Sequence, residues 1–293
     1  MPKVSICIPT YQQLNFLELT LNSIKAQDFV DYEIIITDDT PDSSVLDLIK
    51  TFNFKGRLTY HKNKETLGSP KNWNKAISLA KGDYIKILHH DDYFSHRTSL
   101  SKFVKMLDDH PESDFGFSSA NARNVEFGHN WIHKPSTKVI NQLVSNPLIL
   151  FFGNIIGPPS STIYKRESSF NYDENLKWLV DIDFYIRFLK ANKLFQYNQE
   201  PLITSISGAK HNVTNNCINN KEVEVKEYLY LYRKNYYWKL IFNLRFLLFF
   251  RSIFKIYNIQ SKSDLKALNI NFRPPLPIIF LLTLRKLINV FQK

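Results

Sequence analysis

Apolar runs broken by polar turns set the order of elements in the first third of the chain. Val4 to Ile8 reads as a buried strand closed by Pro9. Asn15, with Glu18 three residues on, forms a capping-box pattern for a helix to about Gln27. Tyr32 to Thr37 is a second strand, broken by Asp38-Asp39-Thr40-Pro41-Asp42, and a short helix follows from Ser43 or Ser44. Arg57 to His61 is a third strand. Ser69-Pro70 starts a helix by the rule of a capping serine and a proline at the first helical position, ending before Gly82. Asp83 to Leu88 is a fourth strand, running directly into His89-His90-Asp91-Asp92.

This βαβαβαβ order predicts a parallel, doubly wound sheet, an α/β fold. Ligands of such sheets bind beyond the carboxyl ends of the strands. The polar residues at those ends are Thr10 and Tyr11, then Asp38 and Asp39, then Asp91 and Asp92. From Ser113 to about Ala209 the pattern is mixed, strand-like at Phe115 to Ser119 and helical at Pro147 to Phe152 and Asp181 to Ala191. Beyond Glu222 the chain turns helical, basic and aromatic. The expected division is a body over 1–220, with halves of about 1–110 and 111–220, and a helical extension over 221–293.

Composition sharpens this division. With 44% hydrophobic residues in a length of 293, the chain has ample material for a core and no disordered or collagen-like character. The net charge is placed unevenly. Residues 1–220 hold 24 Lys and Arg against 23 Asp and Glu, whereas residues 221–293 hold 14 against 4. The basic character belongs to the extension, and the near-neutral body argues against nucleic acid as a partner. Cys7 and Cys217 cannot make a disulfide framework, and the N-terminus reads without a secretory signal, so a reducing, cytoplasmic location is expected.

In the extension, residues 236–257 mix aromatics with Lys239, Arg245, Arg251 and Lys255, and their uncharged stretches fall well short of the roughly 20 residues a spanning helix needs. Arg273-Pro274-Pro275-Leu276-Pro277 interrupts the segment, and Ile278 to Val290 forms a second apolar and basic helix. Basic and aromatic residues together are the signature of peripheral attachment to an anionic membrane surface. The other reading is a helical hairpin packed on the body.

Adjacent carboxylates at a strand end repel each other unless a cation offsets them. Asp91-Asp92 therefore suits a divalent ion, Mn²⁺ or Mg²⁺, bridging to a diphosphate. Three more segments accompany it in order. They are Val4-Ser5-Ile6-Cys7-Ile8-Pro9-Thr10-Tyr11, then Ile36-Thr37-Asp38-Asp39-Thr40-Pro41-Asp42, then Gly68 through Asn72-Trp73-Asn74. Together with Ala80-Lys81-Gly82-Asp83-Tyr84-Ile85-Lys86-Ile87-Leu88-His89-His90-Asp91-Asp92 they resemble family-2 glycosyltransferases of the GT-A fold. The resemblance is dense over about 3–95 and thinner to about 215.

The resemblance implies a Rossmann-like mixed sheet flanked by helices, and inverting transfer of a sugar from a nucleotide-diphosphate donor to a hydroxyl. The acceptor would be a glycan or a polyprenyl-linked oligosaccharide in cell-surface polysaccharide synthesis, at the inner face of the cytoplasmic membrane. Pro9, Thr10, Tyr11 and Asp39 would contact the nucleotide, with Asp39 suited to the imide of uracil or thymine and hence to UDP- or dTDP-sugars. Asp91 would meet ribose or sugar, and Asp92 the metal. The family often has Asp where this chain has His89, which reads as structural.

The segment Leu179-Val180-Asp181-Ile182-Asp183-Phe184-Tyr185-Ile186-Arg187 resembles the family's general-base region, with Val180 where Glu is usual. Spacing to Arg187 puts Asp181 at the base position, with Asp183 as the rival. The plainer roles are a helix cap for Asp181 and a first-turn charge for Asp183. Asn154 to Thr162 resembles the loop lining the sugar pocket, and His211 resembles a late histidine near diphosphate or metal. Two other classes remain. A nucleotidyltransferase would open with a glycine-rich loop, where this chain has Pro9-Thr10-Tyr11-Gln12-Gln13. A non-catalytic carbohydrate-binding module would not need the carboxylate cluster.

Overall fold

The computed structural model describes residues 1–192, 194–209, 217–236, 244–270, 274 and 276–291. It divides into two compact units, Met1–Asn175 with Val180–Asn212, and Leu176–Leu179 with Val213–Lys293.

The first unit is built on a nine-stranded sheet. In chain order its elements are β1 (Val4–Thr10), α1 (Leu14–Lys25), β2 (Tyr32–Asp38), α2 (Ser44–Lys50), β3 (Leu58–Lys62), α3 (Lys71–Ser78), β4 (Tyr84–Ile87), β5 (Asp92–Phe94) and α4 (Ser99–Asp108). Then come β6 (Phe115–Asn124), β7 (Asn130–His133), α5 (Thr137–Ser145), β8 (Thr162–Lys165), α6 (Val180–Ala191) and β9 (Phe195–Ser207). The strand order is β3-β2-β1-β4-β8-β6-β9-β5, with β7 paired to β6.

The first four strands pair in parallel, as the βαβ pattern predicts. The rest of the sheet departs from the doubly wound expectation. β8 is antiparallel to both β4 and β6, and β5 is antiparallel to β9. β5 follows β4 after only the turn 88–91 but does not pair with it, joining β9 at the other end of the strand order. The result is a mixed sheet. Val4, Ile6, Ile8, Ile34 and Ile36 pack with Leu17, Leu21 and Ile24 of α1 in one buried cluster, which fixes the strand ends that carry the polar residues.

Three helix starts differ from the sequence pattern. α1 begins at Leu14, and Asn15 lies inside it without a capping box. The chain leaves β1 through Gln12 and Gln13, both left-handed at φ 56° and 55°, and the Gln12 N–H donates to the Thr40 hydroxyl at 2.7 Å. That exit replaces the cap. α3 begins at Lys71, so Pro70 stands just outside it. α6 begins at Val180, which puts Asp181 in the first turn instead of at the cap. Pro147–Phe152 is a 3₁₀ turn.

Asp38 ties three strand ends together. Its side chain is fully buried and accepts from the Thr10 hydroxyl (3.2 Å), the Thr40 N–H (2.8 Å), the Tyr60 hydroxyl (2.7 Å) and Lys62 Nζ (3.0 Å). Burial pushes its carboxyl up, but the bonds from Thr40, Tyr60 and Lys62 outweigh that and hold it below the usual carboxylate value.

The second unit contains α7 (Lys221–Tyr236), α8 (Leu244–Ile256), α9 (Lys262–Lys266) and α10 (Leu276–Phe291). Much of its aromatic content is internal. Tyr232 lies 5.5 Å from Phe246 and 5.3 Å from Phe250, and Phe254 is buried beside them. Glu227 accepts from the backbone N–H groups of Lys177, Trp178 and Leu179 at 2.7–3.0 Å, which anchors that short segment to α7. No described helix is long and apolar enough to cross a membrane. Lys239, Arg273 and Pro275, named in the sequence reading of the tail, lie outside the described residues.

The depressed Asp38 carboxyl gives a pH signature. A group with a lowered folded pKa stabilises the protein above its unfolded value and loses that effect as pH falls through the folded one. Asp38→Asn should cost about 1–3 kcal/mol at neutral pH. The deficit against the parent should shrink as pH falls below about 4. Urea unfolding across a pH series measures it, and a constant deficit at all pH values would contradict the assignment.

Candidate active site

The site is assembled at the carboxyl ends of β1, β2 and β4. Pro9 and Thr10 close β1 and are buried. The Thr10 hydroxyl faces β2, donating to Asp38, so this side chain supports the strand end from behind. Tyr11 projects outward and is 45% exposed. Asp39 is folded under segment 63–68. Its Oδ1 accepts from Asn63 Nδ2 (2.8 Å) and the Leu67 N–H (3.0 Å), and its Oδ2 from the Gly68 N–H (2.8 Å). A carboxylate has about four acceptor positions, so Oδ2 can take a further donor.

The turn after β4 is pinned from below by α1. The Thr20 hydroxyl donates to the carbonyls of His90 (3.0 Å) and Asp92 (2.8 Å), and the Asp92 N–H donates to the His89 carbonyl at 3.0 Å. This brings ligand atoms of His89, Asp91 and Asp92 within 4.8 Å of one another. Asp92 opens β5 and is 2% exposed. Burial, then the neighbouring charge of Asp91, pushes its carboxyl up, against hydrogen bonds from Ser160 and Ser205 and the charge of Lys86.

Lys86 is fully buried on β4. Its Nζ donates to the carbonyls of Ser160 and, at 3.3 Å, Ile87, and lies 4.4 Å from the centre of the Phe103 ring. Burial pushes this ammonium down, and Asp92 opposes the shift. A buried lysine beside a buried carboxylate keeps part of the cluster's charge compensated.

His89 belongs to the cluster in space, although it reads as structural in the sequence. Its ring centre lies 4.5 Å from that of Trp73, and its Nε2 is buried without a hydrogen-bond partner. Burial first of all pushes its pKa down to about 4, so at neutral pH the imidazole is uncharged and carries a lone pair. The Nδ1 side of the ring lies 4.0 Å from Asp92 Oδ2, and an uncharged imidazole beside two carboxylates, one of them buried at a cost, fits a divalent cation.

The two rival aspartates of α6 occupy different places. Asp183 is fully buried, 2.7 Å from Arg187 Nε, and Arg187 in turn lies 4.4 Å from the Phe170 ring. Asp181 faces the loop 154–162. Its Oδ2 accepts from Asn154 Nδ2 at 2.7 Å and its Oδ1 from the Ile182 N–H at 2.8 Å. Asn154 also closes that loop, bonding the carbonyl and N–H of Gly157 at 3.0 and 2.8 Å. The same loop carries Ser160, whose hydroxyl accepts the His89 N–H at 3.0 Å. One loop therefore connects Asp181 with the carboxylate cluster. His211 lies outside the described residues.

Sequence reasoning missed Lys86 and Ser205, and read Ser160 only as part of the loop Asn154 to Thr162. Lys86 left a signal, a lone lysine within the apolar run Tyr84 to Leu88 where a strand covered on both faces should be apolar throughout. Ser205 left none, since only the β5–β9 register brings it to Asp92.

Residues 5–170 match the family described as glycosyl transferase family 2. The chain is 35% identical over 109 residues to abequosyltransferase RfbV of Salmonella typhimurium, a stretch covering 36% of this chain and 32% of that protein's length. The Staphylococcus aureus TarS 1–349 structure in complex with UDP-GlcNAc aligns with a TM-score of 0.60 at 19% identity, covering 78% of this chain and 66% of that one. The mannosyltransferase PcManGT of Pyrobaculum calidifontis, in complex with GDP-Man and Mn²⁺, aligns at 0.54 with 16% identity, covering 97% and 69%. More than half of the chain lies within the family match, and its mixed sheet flanked by helices agrees with these neighbours: the chain belongs to glycosyl transferase family 2 and has the GT-A fold.

Proposed function

We propose that the chain is a metal-dependent, inverting glycosyltransferase that moves a sugar from a nucleotide diphosphate to a hydroxyl of a glycan or lipid-linked oligosaccharide. The observation that carries this reading is the joining of the His89, Asp91 and Asp92 cluster to Asp181 through the loop 154–162. UDP-GlcNAc in TarS and GDP-Man with Mn²⁺ in PcManGT support a nucleotide-sugar donor and a divalent ion.

In this reading Tyr11 offers a ring face to the base, and Asp39 Oδ2 accepts from an imide N–H, which favours uracil or thymine. Pro9 and Thr10 shape the strand end beneath them. Asp92 and His89 would hold Mn²⁺ or Mg²⁺, and Asp91 the ribose or sugar. The ion would neutralise charge on the departing diphosphate. The acceptor oxygen attacks the anomeric carbon as the bond to the diphosphate breaks, and Asp181 takes the hydroxyl proton.

Attachment to the inner face of a membrane is part of the proposal. Leu276, Phe280 and Leu284 lie at four-residue spacing on α10 and are 56%, 62% and 40% exposed, an apolar stripe within the basic extension. The chain would then meet a polyprenyl-linked acceptor while otherwise in the cytoplasm.

Four outcomes test these roles. Asp92→Ala should abolish the metal-dependent part of UDP binding measured by calorimetry with Mn²⁺, and an unchanged affinity would remove Asp92 as a ligand. Asp181→Asn should keep UDP and metal binding but lower transfer by about 10²–10⁴-fold. Asp183→Asn should instead lower the unfolding midpoint by several degrees through loss of the Arg187 pair, with transfer by the folded fraction little changed. Reversed outcomes would reassign the base. The protein should float with phosphatidylglycerol vesicles, less so in high salt and less so as Phe280→Glu. Equal flotation by parent and variant would assign the stripe to another role.

A further inference from the structure

The face of the sheet that carries Asp92 continues well beyond the carboxylate cluster. Asp92 on β5 lies opposite Ser205 on β9, Ser205 opposite Ala122 on β6, and Ala122 opposite Trp131 on β7. Residues opposite one another in adjacent strands project to the same side, so these four share a face. The hydrogen bond of Ser205 to the Asp92 carboxylate agrees with that orientation. Three strand spacings separate Asp92 from Trp131, about 14 Å. The two residues between them are small, which leaves a shallow floor.

His133, two residues beyond Trp131 on the same strand, marks another boundary of this floor. Its Nε2 lies 2.9 Å from the Ile155 carbonyl, in the loop that holds Asp181 through Asn154. The floor therefore borders the carboxylate cluster, the Asp181 loop and Trp131.

Trp131 is the inner end of a row of rings. Its centre lies 5.7 Å from that of His129, and His129 lies 6.2 Å from Phe127, with those two planes within 21°. Phe127 is 71% exposed and Trp131 44%. Phe127 and His129 lie in the turn between β6 and β7, and Trp131 on β7, which pairs only with β6, so these rings do not contribute to the core. Exposed apolar surface of this kind marks a binding face.

The surroundings select the ligand. The C–H faces of a pyranose pack against the negative face of an aromatic ring, while its hydroxyls stay in water or bond to nearby polar groups. The ring spacings are comparable with the length of one pyranose unit, so successive rings can meet successive sugars. The arm carries Glu126 beside Phe127 and lacks the clustered Lys and Arg of a lipid-binding surface, which lies in the extension.

We propose that Phe127, His129 and Trp131 form a rail for the glycan of the acceptor, with its terminal sugar over Ser205 and Ala122 between Asp92 and Asp181. This rests on the donor-site reading above. It narrows the acceptor to an oligosaccharide of several units, in place of a single sugar or a bare lipid.

Chitobiose to chitohexaose and maltose to maltohexaose, titrated into the full chain and followed by NMR saturation transfer, test the rail. UDP with Mn²⁺ is titrated into the same samples. The parent should bind one series more tightly as the oligomer lengthens. Trp131→Ala should weaken the longest member about tenfold. Phe127→Ala should weaken the long members and spare the disaccharide, because its ring lies farthest out. Both side chains are exposed, so circular dichroism and UDP affinity should match the parent. Absence of oligosaccharide binding, absence of length dependence, or full binding by Trp131→Ala overturns the rail. Loss of vesicle flotation in Trp131→Ala with oligosaccharide binding intact also overturns it and makes the arm a membrane contact. UDP binding without oligosaccharide binding removes the rail alone. Oligosaccharide binding without UDP binding removes the donor reading and leaves the rail.

Discussion

A carboxylate almost cut off from water cannot stand without partners, and Asp92 imposes that condition on the molecule. Transfer of such a charge out of water costs several kcal/mol unless hydrogen bonds and opposite charge offset it. Ser160, Ser205 and Lys86 supply the offset, from a loop, a distant strand and the core of β4. Each partner fixes its own element in turn. Thr20 binds α1 to the turn, Lys86 draws the Ser160 carbonyl inward, and Ser205 holds β9 against the three-residue strand β5.

The same convergence explains the separation of the two aspartates on α6. Asp183 is committed to Arg187 inside the unit, where its charge is balanced. Asp181 instead bonds Asn154, the residue that closes the loop reaching Ser160. A single loop of nine residues, Asn154 to Thr162, thus links a carboxylate able to take a proton with carboxylates able to hold a cation.

How much of this was legible depends on sequence distance. β1, β2 and β4 were readable because each is a largely apolar run ending in polar residues, and local periodicity encodes that directly. The pairing of β5 with β9 joins positions more than a hundred residues apart through a strand too short to show a period. Asn15 and Glu18 satisfied a capping pattern that the left-handed exit from β1 overrode. Asp181 and Asp183 differ only by tertiary contacts, which spacing could suggest but not decide. The aromatic extension read as a surface feature, yet Phe246, Phe250 and Phe254 are interior, while the exposed apolar positions are Leu244, Leu248 and Ile256 on α8 and Leu276, Phe280 and Leu284 on α10. Composition counts rings without saying which way they face.

The left-handed pair Gln12 and Gln13 carries a consequence for recognition. A residue with a side chain in that conformation costs about 1–2 kcal/mol, and glycine would remove the cost. This chain keeps two glutamines there, braced by the Thr40 hydroxyl and by the packing of α1. Part of the stability of the N-terminal half is therefore given up to hold one backbone path beside Tyr11. A segment already restricted to its final shape has little conformational entropy left to lose when a ligand settles on it. The stiffness of these two residues would add to the affinity of a ligand lying against the ring next to them.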